Sequence, residues 1–297
     1  MERISAIFAS LAVMLFIISS LMFAVSPQTA PMALPMTAAS TQLAAMTSLV
    51  MPGLTDAPAV GTLDLHSLFL RPDNAILWIL LIAVWVALAA HALGVLQRQR
   101  LTDRAGAAAE RARPVASGLA ADEPGPPTAH EIAAQHRVDN APSEHAPLTL
   151  ALIIGAIWPW IIRDHPALGF VMAMAMLSLA LTSAIRGQRD GNLIRRVQSV
   201  GMFTGWATAV TYAAFATLLN NHLGISAVAA TVAAMLLCAV AGVTIQLRLS
   251  GIFSYSVAII WSLVGLALAT MSSDATIAMV AIIGISAMAI VLVRAAS

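Results

Sequence analysis

The sequence has few charged residues, no lysine and only one cysteine. Asp, Glu, Lys and Arg make up 10% of its 297 residues, whereas a soluble domain of this length carries about 25%. The single Cys238 excludes an internal disulfide, and neither a Cys-x-x-Cys pair, a His-Glu-x-x-His helix nor a phosphate-binding glycine loop is present. The net charge of +1 gives no basis for binding nucleic acid. This composition favours an integral membrane protein.

Apolar residues make up 60% of the chain and form continuous runs rather than an alternating pattern. A membrane span must satisfy its own backbone hydrogen bonds, so only helices or a closed barrel can cross. The continuous runs exclude the barrel. We therefore predict an all-α integral membrane protein, a polytopic bundle of about eight transmembrane helices.

Five regions follow from the positions of the apolar runs. Residues 1–25 form a first transmembrane helix that serves as a signal anchor, with a cleaved signal peptide as the open alternative. A periplasmic Pro- and Met-rich loop follows at 26–73, with a short interfacial helix at Ser40–Val50, and then a transmembrane helix at 74–96. A cytoplasmic Ala-, Arg- and Pro-rich linker at 97–146 is expected to be helical to about Arg113 and disordered beyond. The last region is a six-helix membrane bundle at 147–294.

The arginines give the orientation of this bundle. Cytoplasmic loops of membrane proteins carry an excess of Lys and Arg. With the N-terminus in the cytoplasm, 13 of the 15 arginines fall on the cytoplasmic side and only Arg71 and Arg163 on the outer side. We therefore expect a multi-pass protein of a bacterial inner membrane with both termini in the cytoplasm.

The span at 198–219 is unusual among the apolar runs. It carries small residues at four-residue spacing, Gly201, Gly205, Ala209 and Ala213. Such a ridge lets two helices approach closely. It is either a packing seam or the space for a flat ligand beside Trp206.

Aromatic and hydroxyl residues also lie within the spans. Trp206 and Trp261 lie away from the expected interfaces, where an indole N–H needs a partner such as a hydroxyl group, a water or a ligand. Thr204, Thr208 and Thr211 lie on one face of the helix predicted at 198–219. These groups either line a pocket or pack inside the bundle.

His91 is the histidine that lies clearly within a span, one turn after Ala87. A small residue one turn before a histidine lets a pigment lie over the backbone, so His91 is a candidate pigment or haem ligand, with a hydrogen-bonded interfacial histidine as the alternative. No Asp, Glu or Arg lies in the interior of a predicted span, which counts against a proton-coupled transporter. No nucleophile–base set can be assembled, so the residues give no support for catalysis.

Two stretches resemble the divergent branch of the TspO/translocator protein superfamily, the larger relatives of the tryptophan-rich sensory proteins with extra transmembrane helices. They are the Gly205-Trp206 pair in GMFTGWATAVTYAAFATLL and FSYSVAIIWSLVGLA at 253–267. Phe69-Leu-Arg-Pro72 before Trp78, Ala156-Ile157-Trp158 and Leu177-Ser178-Leu179 follow the same pattern more loosely. The dense WxPP cluster of the compact sensory proteins is missing, and extra spans flank the matched core.

This resemblance implies a TspO-like five-helix core with a pocket for a flat hydrophobic ligand. Porphyrins and other tetrapyrroles are typical ligands of the family, and the implied role is that of a sensor, regulator or carrier. The matched aromatic positions are Trp206, Trp261, Tyr255 and Trp158. Gly205 and Thr208 complete the expected ligand-binding set, with no catalytic residue and no metal.

A second hypothesis comes from a different class of protein. The lack of charge inside the spans and the Ala87–His91 pattern also suit a structural or assembly subunit of a larger membrane complex, for instance a photosynthetic pigment–protein complex. A homodimer is the expected assembly under the first hypothesis, and a larger membrane complex under the second.

Overall fold

The computed structural model describes residues 2–26, 65–116, 129–189, 194–249, 251–271 and 274–296. Within these ranges the chain forms nine α-helices and no strand. In chain order they are α1 (Glu2–Val25), α2 (Leu65–Leu70), α3 (Ala75–Ala116), α4 (Ala129–Ile162), α5 (Pro166–Arg189), α6 (Ile194–Leu223), α7 (Ala227–Arg248), α8 (Phe253–Thr270) and α9 (Ala275–Ala296).

Seven of these helices are long and apolar enough to cross a membrane: α1, α3, α5, α6, α7, α8 and α9. They confirm the predicted all-α polytopic membrane protein. The eighth predicted crossing is shorter, because the apolar part of α4 runs from Ala146 to Ile162. At 1.5 Å per residue this segment is about 25 Å long, slightly less than the roughly 30 Å of a hydrocarbon core.

Helix α6 is the central helix of the bundle. In its apolar stretch 78% of the residues are buried, whereas the value for the other six candidate spans lies between 28% and 50%. It packs against α2, α3, α5, α7 and α8. Helices α1, α4 and α5 form one side of the bundle and α7, α8 and α9 form the other, so the span at 198–219 lies where the two sides meet.

Arg71 fastens the end of α1 to the segment between α2 and α3. Its Nε donates a hydrogen bond to the Phe23 carbonyl at 2.7 Å, and Nη2 donates to Ser26 Oγ at 2.6 Å. The guanidinium also lies 4.3 Å from the centre of the Phe23 ring, a cation–π contact. The last carbonyl groups of a helix lack hydrogen-bond donors within the helix, and Arg71 supplies a donor for the Phe23 carbonyl.

Two further side chains cap one helix while bonding to another. Asn74 accepts a hydrogen bond from the Leu77 N–H at the start of α3 and donates one to the Gly265 carbonyl in α8. Gln198 of α6 accepts from the Ser254 N–H at the start of α8 and donates to the Gly251 carbonyl. These bonds fix how α3 and α6 meet α8.

The predicted linker is only partly correct. Helix α3 continues to Ala116, close to the expected helical extension, but α4 already begins at Ala129. Residues 129–146 are therefore helical, and the prediction of disorder there is wrong. Ala, Glu and Gln are abundant at 129–135, and their high helix propensity explains the difference. The expected interfacial helix at Ser40–Val50 lies outside the described residues.

Candidate functional site

Gly205 lies at a close contact between α6 and α8. A Cβ added there would come within 2.5 Å of the Tyr255 carbonyl oxygen and 2.8 Å of the Ala258 Cβ. A Cβ on Gly201 would likewise clash with Ile252. The first two glycines of the ridge are thus required for helix packing: side chains of Ile252 and Ser254 fill the space beside Gly201, and the backbone of α8 fills the space beside Gly205.

Tyr255 and Thr208 meet at the same seam, and both are buried. Their hydroxyl oxygens are 3.3 Å apart. Thr208 already donates its proton to the Thr204 carbonyl at 2.9 Å, so Tyr255 is the donor of the hydrogen bond between them. This bond joins α6 to α8 in the interior of the bundle.

Trp206 lies on a different side of α6, in an aromatic cluster with α1. Its ring centre is 5.7 Å from that of Phe16 at an interplanar angle of 77°, and 6.0 Å from that of Phe203. Phe16 and Phe203 are themselves 5.5 Å apart and nearly perpendicular. Trp206 is buried by these contacts, and it therefore anchors α1 on α6.

Trp158 is fully buried near the end of α4. Its indole N–H donates to the Gly169 carbonyl of α5 at 2.7 Å, across the turn between the two helices. Trp261 is half-buried on α8 at the edge of the core. The structure therefore joins Gly205, Thr208 and Tyr255 at one seam and leaves Trp206 and Trp158 in separate contacts.

His91, the candidate pigment or haem ligand, is buried on α3. Across the described ranges, no group of three His, Cys, Asp or Glu residues could hold a metal ion. Ligation by His91 alone stays a prediction.

An apolar groove lies further along α6, where α2, α6, α7 and α8 meet. The ridge continues into it through Ala209 and Ala213, and Cys238 of α7 also borders it. The groove is shallow, with a volume of about 20 Å³. We define the apolar groove by Leu65, Phe69, Tyr212, Ala213, Met235 and Leu266.

A polar cavity of about 270 Å³ lies at the end of the bundle where α4 ends and α7 begins. His66 Nδ1 of α2 is 3.2 Å from Thr217 Oγ1 of α6 across it. Asn220 donates to the Ile225 carbonyl at 2.8 Å and fixes the turn between α6 and α7. We define the polar cavity by His66, Arg163, Thr217, Asn220, Asn221 and Thr231.

The apolar groove and the polar cavity are neighbours along the same helices. Ala213 of the groove and Thr217 of the cavity are one helical turn apart on α6. Leu65 and His66 are adjacent on α2, where Leu65 borders the apolar groove and His66 borders the polar cavity. A polar chamber at the bundle end is thus followed, toward the bundle middle, by an apolar surface.

Arg163 brings a positive charge to the polar cavity. The exposed Arg163 borders it, and none of the described lining residues is acidic. Helices α5 and α7 begin at Pro166 and Ala227, which both line the cavity, while α4 and α6 end beside it at Ile162 and Leu223. The partial positive charges of the two helix starts are therefore offset by the partial negative charges of the two helix ends. The pKa of Arg71 is lowered, first by burial and then by the charge of Arg163. The two guanidinium groups therefore contribute to one positive region.

Sequence reasoning missed most of the residues that border these spaces. His66 and Arg163 are 97 positions apart in the sequence, and only the folded chain brings both of them to one cavity beside α6. Arg163 is one of the two arginines on the predicted outer side, but the distribution of arginines indicates only the membrane topology and not a site. Ala209 and Ala213 belong to the small-residue ridge, so two residues of the groove wall had a signal in the sequence.

Comparisons of the chain with models of protein families, with curated proteins and with solved structures found no match. The resemblance to the TspO/translocator protein superfamily therefore stays a prediction. The fold itself identifies the chain as a multi-pass, all-α membrane protein.

Proposed function

We propose that the protein binds a hydrophobic small molecule and acts as a sensor, regulator or carrier, the role that the TspO-like resemblance implies. The observation that carries this proposal is the apolar groove on α6, the most buried helix of the bundle. Ligand sites are typically apolar with a few polar groups, and Tyr212 and Ser262 are the polar members here.

Small residues account for the space in the groove. Ala209 and Ala213 on α6 face Ala234 on α7, so neither helix fills the gap between them. A volume of about 20 Å³ is too small to enclose a tetrapyrrole. A flat ligand of this class would lie with one face against the groove and the other toward lipid. We place the protein in a bacterial inner membrane, with both termini in the cytoplasm, on the distribution of the arginines.

Titration with protoporphyrin in lipid nanodiscs tests this proposal through tryptophan fluorescence. The wild type is expected to show saturable quenching. Ala213→Leu fills the groove and is expected to weaken binding about tenfold, because crowding costs about 1–3 kcal/mol. Ala90→Leu, on the exposed face of α3, is the matched control and keeps wild-type affinity.

Trp206→Phe separates the two possible positions of the ligand. If the ligand lies at the groove, this variant keeps its affinity, because Trp206 contacts Phe16 and Phe203 instead. A loss of binding in Trp206→Phe with normal binding in Ala213→Leu would move the site to the aromatic cluster. No saturable quenching in the wild type would contradict tetrapyrrole binding altogether.

The alternative is a structural or assembly subunit of a larger membrane complex. Large apolar side chains are exposed along α1 and α9, among them Phe8, Met14, Ile283 and Ile290. Lipid or a partner helix could cover them equally well. Purification in mild detergent from the native membrane decides: a multi-subunit complex that absorbs as a pigment protein would favour this alternative, and a lone chain or homodimer would oppose it.

A further inference from the structure

Among the described residues that line it, the polar cavity has amide and guanidinium donors and no carboxylate. Arg163 is exposed at its wall, and no hydrogen bond or ion pair with another described residue engages its guanidinium. Asn221 adds an exposed amide on the other wall. An anion in this cavity would meet a guanidinium, the best side chain for bidentate binding of a carboxylate or phosphate.

The start of α7 adds backbone donors to the same wall. Ser226 accepts a hydrogen bond from the Ala229 N–H, and the Ala230 N–H bonds to the Ser226 carbonyl. The N–H groups of Ala227 and Val228 precede the first bonds within the helix and are left for an external acceptor. Such a helix start, together with a guanidinium across the cavity, favours an anion.

The size and the position of the cavity indicate the kind of molecule that carries the anion. Its 270 Å³ is several times the ~30 Å³ share of one water molecule, enough for a hydrated anionic group. The apolar groove begins one turn further along α6, at Ala213. The charged cavity at the end of the bundle and the apolar groove toward its middle together match an amphipathic molecule.

We propose that the polar cavity binds the carboxylate or phosphate group of an amphipathic molecule whose apolar part lies against the apolar groove. This proposal rests on the proposed function for the groove, and it adds the chemical class of the ligand. Arg163 is the residue that recognises the charge, and the start of α7 is the second donor.

Thermal unfolding of the full chain in phosphatidylcholine nanodiscs tests the proposal with three probes. Dodecanoate carries both the anion and the chain, dodecanol carries the chain alone, and acetate carries the anion alone. Dodecanoate is expected to raise the melting temperature at concentrations about tenfold lower than dodecanol, because a hydrogen bond to a charged group is stronger than one to a neutral hydroxyl group. Acetate is expected to have little effect.

Two arginine variants locate the effect. Arg163→Gln is expected to make dodecanoate no better than dodecanol, whereas Arg248→Gln, at the opposite end of α7, keeps the wild-type difference. An unchanged dodecanoate response in Arg163→Gln would overturn the anion site. Acetate as effective as dodecanoate would overturn the amphipathic ligand. If Ala213→Leu also left the melting-temperature shift caused by every probe unchanged, the proposed function itself would fail. That result differs from a loss of the difference between dodecanoate and dodecanol alone.

Discussion

Single atoms decide how closely α6 and α8 pack. Gly201 and Gly205 meet Ile252 and the Tyr255 backbone, where a methyl group has no room. Gly94 on α3 has open space around it instead. The same residue type therefore has two different roles in this bundle, and the difference is measurable.

Gly205→Ala is expected to destabilise the protein by about 1–3 kcal/mol, because the added methyl group overlaps backbone atoms that cannot move aside. Gly94→Ala is the control. It is expected to be neutral or to stabilise by up to about 1 kcal/mol through helix propensity. Unfolding in mixed micelles, followed by tryptophan fluorescence, measures both. Equal effects of the two variants would argue against the close contact.

The hydrogen bond between Tyr255 and Thr208 should contribute a small amount to stability. Interhelical hydrogen bonds in membrane proteins average about 0.6 kcal/mol in double-mutant cycles. A cycle of Tyr255→Phe and Thr208→Val is expected to give a coupling of that size, because the two hydroxyls are 3.3 Å apart. A coupling of zero, with both single variants folded, would mean that the bond does not form.

The start of α8 depends on a side chain from another helix. Ile252 is its N-cap residue and supplies no side-chain hydrogen bond. Gln198 of α6 supplies the acceptor instead, at 2.9 Å from the Ser254 N–H. The cap of one helix is thus also a tertiary contact, which couples the end of α8 to α6.

Gln198→Ala is expected to loosen the first turn of α8, since loss of a capping group costs about 1 kcal/mol. Hydrogen exchange at residues 253–257 should become faster by about fivefold to tenfold, with exchange in α9 unchanged. Gln198→Glu retains an acceptor oxygen and is expected to keep most of the protection. Equal protection in wild type and Gln198→Ala would show that this cap contributes nothing.

Apolar runs and small-residue spacing predicted the membrane helices and the seam on α6 well, because both depend on local sequence. Trp158 shows the limit of this reasoning. The family resemblance makes it an expected ligand-binding position, yet it is buried and its indole N–H donates to the Gly169 carbonyl. The polar cavity could not be predicted, because His66, Arg163 and Thr217 meet only through the packing of α2, α4 and α6.

The whole bundle has two chemically different ends. Arg71, Arg163 and the polar cavity lie at the end where α2 packs, and the other arginines with described positions lie toward the opposite end. The positive-inside rule predicts that the polar cavity faces the outer side of the membrane. In the predicted orientation the cavity would be accessible to a ligand in the outer leaflet or beyond it.

Reporter fusions test this orientation. Alkaline phosphatase fused after Asn221 is expected to be active, because the turn between α6 and α7 would be exported. The same enzyme fused after Arg248, at the far end of α7, is expected to be inactive. If Ala146–Ile162 crosses the membrane as the eighth span, N-terminal and C-terminal fusions should report the same side. An inverted pattern at Asn221 and Arg248 would reverse the topology.

The central claim is that one small amphipathic or hydrophobic molecule binds along α6, from the polar cavity into the apolar groove. Native mass spectrometry of the protein released from its own membrane tests this claim most directly. We expect one small-molecule adduct per chain in the wild type, reduced in Ala213→Leu and retained in Ala90→Leu. A wild-type chain without an adduct, or adducts equally abundant in Ala213→Leu, would contradict the account.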